Sequence, residues 1–183
     1  LDNYLDIWNQ NKSLSSTSIN FEEGSMLVDL INLEKTLSKI SSKPISLDAW
    51  SKSISAFSRS LQGNIYNVLK LKYQFSESTK VIQTKYIWPE LSYFQDVDLV
   101  VLKNTKGINN VLIRNSLFNT PVEVYLSGWD ALILDLKKHE NPIKGRHILE
   151  NLLDNQHDEA HLKNKLIQFL AKHVVYYNSL MII

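Results

Sequence analysis

Histidine and carboxylate side chains lie close together in the C-terminal third of the sequence, where their types and spacing could hold a metal ion. His157 and His161 are four residues apart, which places two imidazoles on one face of a helix, as many zinc sites require. Zinc proteases need a glutamate directly after the first histidine, whereas Asp158 holds that position and no third ligand is evident. The polar start of a helix explains the run well. We therefore expect no metal ion and no other cofactor.

The letters DEAH at residues 158–161 invite a second chemistry, that of helicases, in which an acidic pair ends a buried strand and holds magnesium. Here the preceding residues, Asp154–His157, are too polar for a buried strand, and the sequence has no glycine-rich loop ending in Lys-Ser/Thr. None of the serines sits in a Gly-x-Ser-x-Gly turn, and there is no cysteine nucleophile. The sequence therefore predicts a protein that is not an enzyme and has no small-molecule substrate.

Phosphate binding is a third possible chemistry, because the lysines are concentrated in one stretch. Residues 1–34 carry six acids and one lysine (net −5), residues 35–85 carry nine bases and two acids (net +7), and the other 98 residues carry a net charge of −1. A concentrated positive field attracts phosphate, although such a run can also simply solvate a helix face. The candidate nucleic-acid-binding residues are Lys35, Lys39, Lys43, Lys52, Arg59, Lys70 and Lys72.

A strongly amphipathic helix positions several of these bases. From Leu47 to Leu71 the apolar residues recur at steps of three and four, which predicts a helix that buries one face. Lys52 and Arg59 are seven residues apart and so lie on one side of it, among serines. Two further lysines of the set follow near its C-terminal end, where cations suit the helix dipole.

The residues before this helix give weaker patterns. We expect an N-terminal helix and mobile loop over residues 1–20, with the helix at Leu1–Trp8 and the loop at Gln10–Asn20. Ser25–Leu33 is rich in strand formers but also fits a helix, and we interpret it as a strand that leads into a short helix at Thr36–Ile40.

Strand and helix patterns alternate in the rest of the chain. Strands are predicted at Val81–Trp88, Val97–Leu102 and Val122–Leu126, and helices at Asn109–Phe118, Trp129–Leu136, Ile148–Leu153 and Leu162–Leu170. This order is typical of an α/β fold with a mixed or parallel sheet covered by helices. We expect an α/β domain over residues 21–142 and a helical C-terminal segment over residues 143–183.

Two further observations concern location and partners. The sequence has no apolar stretch long enough to cross a membrane, and the lack of cysteine fits a reducing compartment, with nucleus or cytosol as the default. The apolar segment from Val174 to Ile183 should dock as a last strand or helical turn or else contact a partner, and we favour an excised domain or one half of a heterodimer. The candidate partner-interface residues are Trp129, Leu132, Leu136, Tyr176 and Tyr177.

Several strings resemble the XPF-type structure-specific nucleases and their non-catalytic partners. Ser60–Asn67 is similar to the family's Ser-Leu-x-x-Gly-Arg-Leu-Tyr helix, with Asn64 in place of the arginine, and the predicted elements between Asp98 and Pro142 follow the family's order. The family's helix-hairpin-helix module, expected after Pro142, is not recognisable. The resemblance implies an XPF nuclease-like α/β domain.

The family's metal-binding motif is degraded in this sequence. Active members carry Gly-Asp and then Glu-Arg-Lys-x-x-x-Asp, whose carboxylates hold the divalent metal that activates water. With Lys35 on the motif's lysine, Ser25 replaces the first aspartate, Leu33 the glutamate and Lys39 the last aspartate. Shifting the alignment by one residue places Glu34 on the motif's glutamate but places no other carboxylate on a ligand position. A lone carboxylate cannot hold the metal. The resemblance therefore implies a catalytically dead member.

The resemblance extends to fungal meiotic complexes that stabilise crossover intermediates. It implies a non-catalytic subunit that forms a heterodimer with a second XPF-like chain and binds branched DNA during meiotic recombination in the nucleus. The alternative is a protein-binding scaffold subunit of a eukaryotic assembly, without DNA contact, in which the apolar tail and Trp8, Trp50, Trp88 and Trp129 lie partly at interfaces.

Overall fold

The structure is a computed structural model that describes residues 21–88, 99–116, 120–153 and 158–183. The helices are α1 (Phe21–Ser41), α2 (Leu47–Gly63), α3 (Leu99–Asn104), α4 (Ile133–Lys137), α5 (Gly145–Leu153) and α6 (Glu159–Ala171). The strands are β1 (Lys72–Phe75), β2 (Thr79–Thr84), β3 (Asn109–Asn115), β4 (Pro121–Tyr125), β5 (Ile143–Lys144) and β6 (Leu180–Ile182). Two 3-10 turns, Ile65–Lys70 and Gly128–Leu132, and a π-helical turn, Lys172–Tyr176, complete the elements. The expected helix at Leu1–Trp8 and loop at Gln10–Asn20 lie outside the described residues.

The strands form two antiparallel sheets, so the molecule is mixed α/β but its sheets are not parallel. Sheet I has the order β5-β1-β6, and sheet II has the order β2-β3-β4. Every strand pair in the described ranges is antiparallel, which corrects the parallel arrangement expected from the alternating pattern. In sheet II the reason is local: only five residues separate β3 from β4, and a parallel crossover needs a dozen or more.

One continuous helix, α1, replaces the predicted strand at Ser25–Leu33 and the short helix after it. Met26, Leu33, Leu37 and Ile40 recur on one helical face and are at most 3% exposed. No proline or turn residue interrupts the chain between the two predicted elements, so the helical period continues through both. The strand prediction is wrong because its β-branched and apolar residues also fit this buried face.

The helix predicted from Leu47 is confirmed, but it ends at Gly63 rather than continuing to Leu71. The next residue, Asn64, adopts an extended conformation (φ −147°, ψ 128°), and its side chain accepts a hydrogen bond from the Tyr66 N–H at 2.8 Å. A separate 3-10 turn therefore begins there. As a result, Lys70 lies on that turn and Lys72 on β1, and neither belongs to α2.

The central strand β3 was predicted as a helix, Asn109–Phe118. Val111, Leu112 and Ile113 are all fully buried, because sheet II is covered on both faces, and a strand of this kind lacks polar-apolar alternation. The reverse error occurs upstream, where the strand predicted at Val97–Leu102 is a helix, α3, over the residues that the structure describes.

The remaining predicted elements are confirmed. The strand expected at Val81–Trp88 is β2, which ends earlier, at Thr84. The strand expected around Val122 is β4, and the helix expected from Trp129 is the 3-10 turn followed by α4. The helices expected around Ile148 and Leu162 are α5 and α6.

Sheet II separates two hydrophobic cores. Val111 and Ile113 face α1 and belong to what we call the α1 core, whereas Leu112 faces the other side and belongs to what we call the C-terminal core. The α1 core also contains Met26, Leu33, Leu37, Ile40, Tyr86, Trp88 and Leu102. The C-terminal core joins Phe57, Val68 and Tyr73 to Ile148, Leu149, Leu162, Leu166, Leu170, Val174 and Leu180. Residues on both sides of the boundary expected after residue 142 therefore share one core.

The apolar C-terminal segment docks on this core as a helical turn and a strand. The last four carbonyls of a helical segment lack an intrahelical partner, and here the Trp50 indole N–H donates to the Val174 carbonyl at 2.8 Å. β6 then pairs with β1, placing Phe75 opposite Leu180. Of the alternatives left open for this segment, the structure shows docking as a helical turn and a last strand; the favoured excised domain or heterodimer half stays a prediction.

Candidate nucleic-acid interface

A cleft of about 480 Å³ lies between the 3-10 turn at Ile65–Lys70, β5, α5 and α6. Four bases line it: Lys70, Lys144, Arg146 and Lys163. A fifth base, Lys72, adjoins them as the cross-strand partner of Lys144 in sheet I. We call these five residues and the space between them the basic cleft.

A glycine holds one wall of the basic cleft in place. A Cβ atom on Gly145 would lie 3.0 Å from the Leu69 Cα and 3.2 Å from the Leu69 carbonyl oxygen, so only glycine allows β5 to approach the 3-10 turn this closely. The Gly145 N–H also donates to the Leu71 carbonyl at 3.1 Å. The two bases on either side of this glycine, Lys144 at the end of β5 and Arg146 in the first turn of α5, are thereby held beside the 3-10 turn.

Two lysines of the basic cleft stand directly opposite each other. Lys72 and Lys144 are register partners on antiparallel strands, so their exposed side chains lie on the same face of sheet I. Like charges in such a pair destabilise a sheet. Within the described ranges no carboxylate lies within ion-pair distance of Lys70, Lys72 or Lys144, and this part of the cleft therefore has positive charge available for an anion.

The other two bases are already paired with acids on the rim. The Arg146 Nε lies 3.0 Å from Glu150, and the Lys163 Nζ lies 2.6 Å from Glu159. The His147 ring hydrogen bond, followed by that of Arg146, holds the pKa of Glu150 below its usual range. Each pair is partly or largely exposed, and such pairs contribute little, so Arg146 and Lys163 can turn to a phosphate at small cost, although Glu150 and Glu159 also line the cleft and reduce its positive charge.

The structure separates the remaining predicted bases from the basic cleft. Lys35, Lys39 and Lys43 are exposed on α1 and the residues after it, and α1 packs on the face of sheet II opposite the C-terminal core. On α2, Lys52 pairs with Asp48 at 2.6 Å and Arg59 Nε donates to the Ser55 carbonyl at 3.3 Å. The cleft therefore contains only Lys70 and Lys72 of the seven predicted residues.

Sequence reasoning missed Lys144, Arg146 and Lys163, which complete the cleft. One signal was available, because Lys144 and Arg146 flank a lone glycine immediately before a predicted helix. Lys163 carried no signal, since on α6 it resembles any other exposed helical lysine.

The residues aligned with the nuclease motif do not form a metal site. Leu33 is fully buried in the α1 core, Lys39 is exposed, and the Ser25 hydroxyl accepts a hydrogen bond from Lys85 Nζ at 3.0 Å. Burial raises the pKa of Glu34, the one carboxylate of the motif. Across the part of the chain that the structure describes, no three histidine or carboxylate side chains are placed to hold a metal ion.

The DEAH letters belong to the start of α6. The Asp158 side chain accepts a hydrogen bond from the His161 N–H at 3.0 Å and so caps the helix, as the polar start of a helix requires. His157 lies outside the described residues.

The predicted partner-interface residues are divided between surface and core. Trp129 and Leu132 line an open groove of about 1060 Å³ beside the edge strand β2. Leu136 is only 5% exposed and belongs to the C-terminal core, so its side chain lies inside the protein. Tyr176 is 70% exposed, and Tyr177 is half-buried.

Comparisons with known proteins do not assign this chain to a family. No protein-family model matches the sequence, and no curated protein or solved structure is significantly similar to it. Among the described helices, none combines the length and apolar character needed to cross a bilayer.

Proposed function

We propose that this protein is a non-catalytic subunit that binds nucleic acid through the basic cleft, with backbone phosphate as the recognised group. The observation that carries the proposal is the convergence of five bases from five different elements, three of them without a carboxylate partner in the described structure. Binding of this kind is tolerant of sequence and weakens as salt is added, because phosphate contacts release counterions.

A more specific form of the proposal rests on the XPF-like strings. In that form the chain pairs with a second XPF-like chain in the nucleus and binds branched DNA during meiotic recombination. The buried Leu33 at the motif's glutamate position is compatible with a subunit that does not cleave DNA. The antiparallel pairing of sheet II departs from the sheet that the resemblance implies, so the support for the proposal comes from the cleft rather than from the fold.

Charge reversal at two positions tests the proposal. Fluorescence anisotropy with branched and duplex DNA across a salt series should show binding that weakens as salt rises. The double variant Lys72→Glu/Lys144→Glu should bind at least about tenfold more weakly, with a salt slope lower by about 2, since each lost phosphate contact removes about 1.

A matched variant separates the cleft from the general charge of the protein. Lys35→Glu/Lys39→Glu makes the same change in net charge on the exposed face of α1, and it should bind as the wild type does. Absence of any binding at low salt would contradict the proposal. Equal losses in the two double variants would instead show that the field of the whole molecule, and not the cleft, attracts DNA.

A scaffold function is the second candidate, and the groove beside β2 favours it. The groove combines apolar side chains, including Trp129 and Leu132, with the edge of sheet II, a surface that protein partners commonly use. In this case Trp129→Ala should release a copurifying partner, measured as a fall in molar mass by light scattering. DNA anisotropy would stay unchanged, and circular dichroism would show that the variant is still folded, since the Trp129 ring also packs against the C-terminal core.

A further inference from the structure

We infer that the basic cleft accommodates an unpaired nucleotide, with its base stacked on Tyr66, in preference to a continuous duplex. This inference rests on the proposed function and adds the class of nucleic acid that the same site would select. It is carried by three features of the cleft that phosphate binding alone leaves unexplained: an exposed aromatic ring, an apolar floor and a small volume.

Tyr66 supplies the aromatic surface. It lines the cleft, is 40% exposed, and is fixed at the start of the 3-10 turn by the hydrogen bond from its N–H to the Asn64 side chain. The Lys163 Nζ lies over this ring, 5.5 Å from its centroid, and is paired with Glu159, so a base stacks either on the other face of the ring or after this side chain moves aside. Proteins that bind single strands combine aromatic rings, on which bases stack, with cations that follow the backbone.

The floor of the cleft is apolar, although its rim is basic. It is formed by Leu69 and Leu149, which are 6% and 4% exposed, together with the half-buried Leu153. A phosphodiester gains nothing from such a surface, whereas the flat face of a base is removed from water there. The lysines at the rim, Lys72 and Lys144, are then left for the flanking phosphates.

The volume of the cleft favours an unpaired base. In a duplex both faces of each base are covered by its neighbours, so a base reaches a side-chain ring only after it leaves the stack, at a cost of a few kcal/mol. A space of about 480 Å³ is of the size that encloses one small ligand, which suits a single extruded or unpaired nucleotide. A nucleotide that is already unpaired binds without the unstacking cost.

Three probes of equal length test the inference: a thymidine oligonucleotide, the same strand in a duplex, and an abasic strand with the same phosphates. The wild type should bind the thymidine strand most tightly. Tyr66→Ala should weaken that binding by about 5- to 150-fold, which corresponds to the loss of one stacked base, and should leave abasic-strand binding unchanged. Tyr66→Phe keeps the ring and should bind as the wild type does.

The outcomes distinguish this inference from the proposed function. If no probe binds, or if charge reversal at Lys72 and Lys144 has no effect, the proposed function itself is wrong. If all three probes bind equally and Tyr66→Ala changes nothing, phosphate binding stands and the inference is overturned. A thermal melt of Tyr66→Ala identifies a loss of folding, in which case Tyr66→Leu, which keeps apolar bulk without a ring, is used in its place.

Discussion

Two groups of lysines with similar exposure lie in very different surroundings. Lys35 and Lys39 project from one continuous helix, each surrounded by solvent and by other residues of the same helix. Lys72 and Lys144 come from strands whose sequence positions are 72 residues apart, and they lie side by side with no acid within ion-pair distance in the described structure. The comparison teaches that a run of positive charge in a sequence does not by itself mark a binding surface. Whether positive side chains form a binding surface depends on how the fold arranges them.

The two cores differ in a similar way. A buried carboxylate, that of Asp29, stabilises the α1 core by hydrogen bonds. Asp29 is 7% exposed, and it accepts hydrogen bonds of 2.9 to 3.3 Å from the backbone N–H groups of Lys85 and Tyr86 and from the Trp88 indole N–H. A fully buried histidine, His173, lies beside the mainly apolar C-terminal core, and its ring packs against Phe169 of that core. Substitutions at these two residues should therefore affect stability by different routes.

The largest expected effect is that of Asp29→Ala on the α1 core. The substitution leaves three donors without their acceptor, and the free energy of unfolding should fall by about 3 kcal/mol or more. Urea unfolding followed by circular dichroism measures this change. Asp48→Ala removes a carboxylate whose ion pair is 76% exposed on both sides, and it should cost less than about 1 kcal/mol. Similar losses in the two variants would show that Asp29 does not fasten the α1 core.

The C-terminal core should respond to pH through His173. Its Nδ1 lies 2.6 Å from the Ser179 hydroxyl, and burial lowers its pKa to about 4, although Asp130 partly opposes that shift. The unfolded chain binds a proton below pH of about 6.5 and the folded protein only near 4, so stability is lost as the pH falls between these values. The loss should reach at most about 3 kcal/mol.

Urea midpoints at pH 7 and pH 4.5 measure this loss, with two variants for comparison. His173→Gln should show a smaller decrease in stability on acidification than the wild type. His139→Gln, at an exposed histidine, should keep the wild-type response. If His173→Gln and the wild type lose the same stability on acidification, His173 does not protonate on unfolding.

The smallest expected effects are those of charge reversal at single lysines. Lys144→Glu converts the repulsive pair with Lys72 into an attractive one and should raise stability by about 0.2 to 1 kcal/mol, while it weakens DNA binding. Lys35→Glu likewise places opposite charges four residues apart on α1 and should gain about 0.3 kcal/mol, with DNA binding unchanged. Thermal melts and anisotropy measure the two properties. If Lys144→Glu raised stability without weakening DNA binding, the repulsion between Lys72 and Lys144 would have no connection with DNA binding.

The sequence predicted best those elements whose pattern is local. The α2 helix is amphipathic from Leu47 onward, so its existence follows from spacing alone, and only its end was misplaced, at Gly63 and Asn64. β3 was read as a helix because its neighbours cover both faces and leave three consecutive residues buried, Val111 to Ile113. No local pattern reports that a strand will be covered on both sides.

The candidate site was predicted only in part, for a physical reason. Lys70 and Lys72 belong to the basic stretch and were found, but Lys144, Arg146 and Lys163 reach them only through pairing and packing between distant segments. Spacing rules describe residues within one element. They cannot tell which exposed lysines of separate elements will meet across a cleft.

The shared strand β3 has a consequence for the dynamics of the whole chain. Because Val111 and Ile113 belong to one core and Leu112 to the other, neither core can open without exposing part of the strand that supports its neighbour. The two halves should therefore unfold cooperatively as a single unit. A ligand held in the basic cleft would accordingly slow amide hydrogen exchange in α1, on the far side of the sheet, although it touches no residue there.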